Sequence, residues 1–280
     1  MTKAPRGGPQ TPSTLAGVAK TLFSSSAKTQ IAALNRTVFD QAKQIAWLER
    51  LVTDLLVEYR GSSLMPPERL RMHVGARDSA ANFWNQGRES SSRVLEVFGA
   101  APDGPVLDWG CGSGRTLYWL YGHDAWREGY RGCDVDAEAI AWLRKQKIGA
   151  KVQVCGDAPP LPYADGVFAG LFGFSVLTHI HPEHHGDWMR EIHRVLRPGG
   201  RAYLTVNGAS RMADARAFSA LSRALFERQG WFFETHDGHY KSAAIVSREH
   251  LTAATQGLFE IEQYRAAGYH EHDDLILRKA

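Results

Sequence analysis

The chain has 280 residues, a net charge of +3, and 44% hydrophobic against 22% charged residues, which leaves room for one full α/β domain with an extension but not for two large enzyme domains. So slight a charge gives no electrostatic footprint for a nucleic-acid surface. Three cysteines, Cys111, Cys133 and Cys155, form no C-x-x-C pair, which argues against a disulfide framework and for small buried thiols in a reducing, cytoplasmic setting.

The first 39 residues contain no Asp or Glu and are rich in Ser, Thr, Pro and Gly, so residues 1–37 are expected to be a flexible tail. From Val38 to Tyr59 the pattern turns helical. Ile45, Leu48, Val52, Leu55 and Tyr59 recur at gaps of three and four, until Gly61 and the Pro66-Pro67 pair stop the run. Such a stripe can form a homodimer seam, but three heptads is marginal length, and packing on the chain's own body is the favoured reading. Residues 38–100 are therefore assigned to a helical extension and connector, with a second helix near Ser91–Phe98. No apolar run approaches the length of a membrane span, and no secretory signal opens the chain.

After Gly104 short apolar runs alternate with helical stretches, the rhythm of a parallel sheet. Strands are expected at Val106–Asp108, Gly129–Asp134, Lys151–Cys155, Val167–Phe172 and Arg201–Val206, with helices starting near Gly114, Ala137 and Pro182. Two antiparallel strands near Phe259–Tyr264 and Asp274–Arg278 close the chain. The fold class is thus α/β: a Rossmann-like, seven-stranded, mostly parallel sheet with helices on both faces, an antiparallel C-terminal hairpin and an N-terminal helical extension.

The strongest local signal is Val106-Leu-Asp-Trp-Gly-Cys-Gly-Ser-Gly114. An apolar strand ends in Asp108, and Gly110, Gly112 and Gly114 let the chain turn and bring its backbone against a ligand. A Walker loop would end in Gly-Lys-Ser/Thr, and the dinucleotide pattern would need glycine where Arg115 stands. A carboxylate at Asp108 repels a pyrophosphate but suits a ligand with an ammonium and a sulfonium centre. Asp134 ends the second strand, where a carboxylate can accept from both ribose hydroxyls, while Asp136 reads as the cap of the next helix. Asp157, after the third strand, can take an adenine amino group.

These residues resemble the class I methyltransferases that bind S-adenosylmethionine. Leu161-Pro-Tyr-Ala-Asp-Gly-Val-Phe168 is similar to the family's approach to the fourth strand, and Arg194-Val-Leu-Arg-Pro-Gly-Gly200 to its turn before the fifth. The match breaks at Ala169, where many relatives carry Asp at a structural position. The resemblance implies S-adenosyl-L-methionine as cofactor. Asp108 and Gly110 would lie near its methionine moiety, Asp134 and Val135 at the ribose, Asp157 and Ala158 at the adenine, and Gly173 and Phe174 beside the sulfonium. Leu64–Leu70, Phe172–His179, Leu204–Gly208 and His272–Lys279 resemble a bacterial subgroup associated with glycan or natural-product biosynthesis, which implies a small-molecule or glycan acceptor. Residues 101–280 then form the methyltransferase domain, with 207–256 as an insertion covering the acceptor.

Methyl transfer from a sulfonium is an in-line displacement, so positioning and exclusion of water can carry most of the catalysis, and a general base helps only some acceptors. His179, in Thr178-His-Ile-His-Pro-Glu-His-His185, is the leading residue to face the acceptor; the plainer reading is a helix-start histidine. His236, His239 and Tyr240 are the polar groups of Trp231-Phe-Phe-Glu-Thr-His-Asp-Gly-His-Tyr240, whose Phe232 and Phe233 are expected to pack the lid onto the domain. The histidines fit no zinc spacing, and no metal is expected. His270 and His272 are expected in solvent. Arg115 has two readings, a cofactor-carboxylate contact or an exposed helical arginine; Trp109 packs beside the cofactor or under the sheet. Two rival functions stand beside the enzyme: a non-catalytic assembly protein using the N-terminal helix, and a nucleic-acid methyltransferase, which lacks its Asn/Asp-Pro-Pro-Tyr/Phe motif here.

Overall fold

The computed structural model describes residues 29–39, 41, 44, 65–74, 80–146, 149–213, 217–235 and 242–280. Two compact units divide the chain, Met1–Leu56 and Val57–Ala280. In the first, residues 29–39 are helical and expose Ile31, Leu34, Val38 and Phe39. That helix starts ahead of the expected 38–59 stripe, most of which lies outside the described residues.

The second unit is built on a seven-stranded sheet in the order β3-β2-β1-β4-β5-β9-β8. Its first five strands are β1 (Val106–Trp109), β2 (Tyr130–Asp134), β3 (Val152–Val154), β4 (Phe168–Gly173) and β5 (Leu196–Val206). They pair parallel, Asp108 opposite Gly132 and Phe172, and Phe172 opposite Tyr203. At the other side β9 (Asp273–Lys279) runs antiparallel between β5 and β8 (Phe259–Arg265). The outermost of these, β8, carries Glu260, Glu262 and Arg265, charges that discourage pairing with a further strand.

Side chains alternate across the pleat, so each strand feeds two cores. Leu107, Leu171, Leu204 and Leu275 point to one face and pack against Trp188, Met189, Ile192 and Leu251. Val106, Phe172 and Tyr203 point to the other, against Val94, Leu117, Trp126, Ile140 and Leu143. Helices α1 (Glu68–His73), α2 (Ala80–Phe98), α3 (Leu117–Leu120), α4 (Asp124–Gly129) and α5 (Ala137–Lys145) precede β3, α6 (His185–Val195) precedes β5, and α7 (Ala220–Gln229) and α8 (Arg248–Thr255) follow it. Helix α5 begins where Asp136 accepts from Glu138 N and Ala139 N at 2.9 and 3.1 Å, an N-cap that satisfies otherwise unpaired donors.

Strand positions agree with the sequence reading to within a few residues, but three regions differ. Helix α2 begins at Ala80 rather than near Ser91, because Ala81, Phe83, Gly87 and Ser90 are buried and extend its inner face by about three turns. The helix expected from Gly114 starts only at Leu117. Within 207–256 lie α7, α8 and a second sheet of β6 (Trp231–Glu234) and β7 (Ala243–Val246), none of them anticipated.

Candidate functional site

Parallel strands end on one edge of a sheet, and there the loops between strand and helix form a crevice. Asp108 and Asp134 meet at this edge from β1 and β2. The chain leaves β1 through Gly110 and Gly112, both left-handed at φ +78° and +51°. A Cβ at either would stand 2.5 Å from a valine methyl, that of Val176 beyond β4 and that of Val74 at the end of α1 respectively. Close approach is therefore needed at both positions, each to a valine of the protein's own chain.

Asp134 is 7% exposed and accepts from Gly112 N at 2.7 Å through one oxygen and from Asp136 N at 2.8 Å through the other. A carboxylate oxygen accepts two hydrogen bonds, so each keeps one acceptor position for a vicinal pair of hydroxyls. Burial nonetheless pushes its pKa up, against those two backbone bonds. Asp108 is more extreme. Buried and held by Tyr130 Oη at 2.7 Å, its carboxyl is pushed up to about 7, chiefly by burial and further by the charge of Asp134. Two neighbouring acids disfavoured as anions make a site that gains from a cation beside them. Ser113 Oγ, fully buried in the same loop, has no hydrogen-bond partner among the described residues. Val135 is 42% exposed, and Asp157 and Ala158 are exposed one strand further out. Acidic acceptors, one orphaned hydroxyl and an exposed apolar side chain make a donor and acceptor set that fits a nucleoside bearing positive charge.

A strap lies along this edge. His73 Nδ1 stands 2.9 Å from Asp136 Oδ2, Arg69 pairs with Glu138, and Arg115 donates to Val74 O at 2.6 Å and to Gln86. The reading of Arg115 as an exposed helical arginine does not hold, since it is half-buried ahead of α3 and its Nη1 is taken by α2 and the strap. Trp109 lies in the core, its ring 4.7 Å from that of Trp188.

Beyond β4 the acceptor side begins. Gly173 is buried, and Phe174 packs its ring 5.0 Å from Tyr269 and 5.4 Å from Tyr203. His179 is exposed, with Nδ1 donating to Ser242 O at 2.9 Å, which ties this loop to the start of β7. His236, His239 and Tyr240 lie outside the described residues. Phe233 packs the insertion onto the domain through the His181 ring at 4.7 Å, as expected, whereas Phe232 packs within the insertion, against Phe218 at 5.9 Å. His185 is buried, contacts the carbonyls of Leu177 and Ile180 at 3.2 and 3.1 Å, and faces His250 Nε2 across 3.2 Å. Burial holds its imidazole down at about 4. No group of His, Cys, Asp or Glu among the described residues is arranged to hold a metal.

His270 is exposed, as expected, and pairs at the surface with Glu89 at 2.9 Å. The expectation that His272 sits in solvent is corrected: it is half-buried, with Nε2 3.0 Å from Ser175 Oγ. The one signal for this in the sequence is the Asp273-Asp274 pair. Two acids opening a strand with Leu275 and Leu277 in its core must be anchored from within, by Tyr264 and Ala267 N for Asp273 and by Arg265 and Tyr269 N for Asp274. The same anchors draw the preceding turn inward.

Residues 107–204 match the methyltransferase-domain family. Over 125 residues the chain is 30% identical to the malonyl-[acyl-carrier protein] O-methyltransferase of Herminiimonas arsenicoxydans, covering 44% of each chain. It is 32% identical over 120 residues to the demethylmenaquinone methyltransferase of Mycolicibacterium vanbaalenii, covering 42% of this chain and 46% of that one. The chain thus spans under half the length of these curated relatives. Among solved structures, the Burkholderia thailandensis 1,6-didemethyltoxoflavin-N1-methyltransferase, with bound 1,6-didemethyltoxoflavin and S-adenosylhomocysteine, shares the fold at TM-score 0.52 and 17% identity over 80% of this chain and 89% of that one.

Proposed function

With residues 107–204 forming a methyltransferase domain, we propose that this chain transfers a methyl group from S-adenosylmethionine to a small-molecule acceptor. The observation that carries the reading is the pair of buried acids at one sheet edge, Asp108 and Asp134, each disfavoured as an anion until positive charge arrives. The related proteins named above, which act on small molecules or an acyl-carrier substrate by name, support the acceptor class. Three unpaired cysteines fit a cytoplasmic setting, and no helix among the described residues is long and apolar enough to cross a membrane.

Bound here, S-adenosylmethionine supplies a methyl group on a sulfonium that is already a good leaving group. Asp134 accepts the ribose hydroxyls with its remaining lone pairs, and Val135 offers an apolar surface beside them. Asp157 and Ala158 face the adenine. Asp108, Gly110, Gly112 and Gly114 shape the methionine end, and Ser113 Oγ finds a partner there. Gly173 and Phe174 lie beside the reacting centre. The described part of 207–256, with β6 and β7, covers the acceptor and excludes water, while His179 fixes that cover through Ser242. The chemistry then rests on alignment, which is worth roughly 7–11 kcal/mol in favourable cases.

Isothermal titration with S-adenosylmethionine and S-adenosylhomocysteine tests the reading. Asp134→Ala removes two charge-assisted hydrogen bonds, each worth about 1.5–3 kcal/mol, so affinity is expected to fall by about 100-fold or more. A folded variant that binds like the parent would refute it.

A further inference from the structure

Among the described residues, left-handed backbone outside glycine occurs at four positions: Ser175 (φ 57°), Ala267 (49°), His270 (49°) and Glu271 (65°). They fall in two turns, one leaving β4 and one entering β9, and these turns meet where Ser175 Oγ lies 3.0 Å from His272 Nε2. Strain of this kind persists only where surrounding structure holds it, and it gathers at working sites. Here the surroundings do hold it. Ser175 N donates to Thr205 Oγ1 at 2.8 Å, and Ser175 O accepts from Thr178 Oγ1 at 2.5 Å. On the other side Gly268 N donates to His272 O at 2.7 Å, and Ala267 N to Asp273 Oδ1 at 3.0 Å.

The hydrogen bonds also fix which ring nitrogen carries the proton. His272 Nδ1 lies 3.1 Å from His270 O. A carbonyl can only accept, so Nδ1 donates, and in the neutral ring Nε2 is left as the acceptor. The charged and titratable groups around the ring are Arg211, from the turn after β5, and His270, from its own loop, both of which disfavour a second proton. His270 is itself occupied by Glu89, and Asp273 is turned toward Tyr264 and Ala267 N. Burial acts in the same direction as Arg211, pushing His272 below its ordinary value. A neutral imidazole with its basic nitrogen aimed at a half-buried hydroxyl is the arrangement of a general base and an O–H donor.

We propose that His272 is the catalytic base of this site, that its Nε2 receives the proton of an acceptor hydroxyl taking the place of the Ser175 hydroxyl, and that the product is an O-methyl ether. This rests on the methyl-transfer reading above and deepens it by naming the acceptor group. In the step, the acceptor oxygen forms its bond to the methyl carbon as the carbon–sulfur bond breaks, and the sulfur keeps the electron pair. The hydroxyl proton passes to Nε2, giving an imidazolium that returns it to solvent. Until the acceptor displaces it, Ser175 acts as a positioning residue, keeping Nε2 aimed at the end of β4.

Two measurements on the full chain test this. The first needs no acceptor. Long-range 15N–1H NMR of the parent, assigned with His272→Gln, is expected to show a neutral ring protonated on Nδ1 at pH 6.5, where a free imidazole is half protonated. The opposite tautomer, or a doubly protonated ring, would overturn the proposal. In the second, methyl-13C S-adenosylmethionine is turned over with a protein-free extract of the source cells, and the labelled linkage is read by NMR and mass spectrometry. An O–13CH3 product is expected. His272→Gln should lower kcat by about 100-fold or more while S-adenosylhomocysteine affinity stays within about twofold, and the lost rate should recover as pH is raised enough to ionise the acceptor. An N- or C-methyl product, or a His272→Gln rate within about threefold of the parent, would overturn the base. Failure of the parent to bind S-adenosylhomocysteine would instead bring down the methyl-transfer reading beneath it.

Discussion

Asp108→Asn separates what the site needs from what the fold needs. The native carboxyl holds its proton up to about pH 7 against an ordinary 3.8, so between those values the folded chain binds more proton than the unfolded one. Stability therefore falls as pH rises through that window, and the full penalty stands above pH 7. At about 1.4 kcal/mol per pH unit, the cost of ionising this buried acid accumulates to about 4 kcal/mol. Asparagine has the same shape, keeps an oxygen to accept from Tyr130 Oη, and cannot ionise. Against that gain stands a buried amide N–H without a built-in partner, about 1–3 kcal/mol. The variant should thus be more stable than the parent at pH 8 by about 1–3 kcal/mol, which is several degrees in Tm. At pH 5, where the parent's acid is already neutral, it should be equal or weaker. Thermal unfolding followed by circular dichroism at both pH values reads this directly, and adding S-adenosylmethionine at pH 8 should raise the parent's Tm more than the variant's. A Tm difference that does not change with pH, or a less stable variant at pH 8, would show that Asp108 is not under the strain described.

The His185 imidazole has the opposite linkage. Its native pKa is held down at about 4 from 6.5, so the unfolded chain takes a proton first, and stability is lost as pH falls from 6.5 toward 4, by about 3 kcal/mol in all; urea unfolding at pH 4.5 and 7 should show this slope in the parent and a flatter one in His185→Gln. Gly170→Ala would place a methyl 2.5 Å from Phe98 Cε1 in the middle of β4, and overpacking of this kind should cost about 1–3 kcal/mol by chemical denaturation. Asp136→Ala removes the cap of α5 and the contact with His73 together, and should lower stability by about 1 kcal/mol.

The parallel half of the sheet was legible because Val106-Leu107, Leu171-Phe172 and Leu204-Thr205-Val206 are short apolar runs bounded by turn residues, the pattern of strands buried on both faces. The antiparallel hairpin was read separately, from Phe259–Tyr264 and Asp274–Arg278, and brought the count of strands to seven. Less visible was anything set by distant contacts. Trp231–Glu234 and Ala243–Val246 form only half-buried or short pairs around an intervening loop, and no alternation marks them as partners. Val74 seats on Gly112 across nearly forty residues of chain, which no local pattern encodes. His272 was misjudged for a related reason. Polar neighbours suggested a solvated loop, whereas the two following acids are satisfied inside the protein and carry the histidine in with them. The sequence placed Asp108 and Asp134 on one edge, but their mutual destabilisation depends on burial, which composition alone does not reveal.

Because β9 is sandwiched between β5 and β8, the strand that knits this half of the molecule together is also the one a ribosome releases after both its neighbours. Until residues 273–279 emerge, β5 and β8 each present an unsatisfied row of amides and carbonyls, and the turn carrying His272 has nothing to anchor it. A prematurely halted or proteolytically trimmed chain would therefore be sticky along two borders. Quality control that removes such chains would be acting on the same seven residues that close the sheet between β5 and β8.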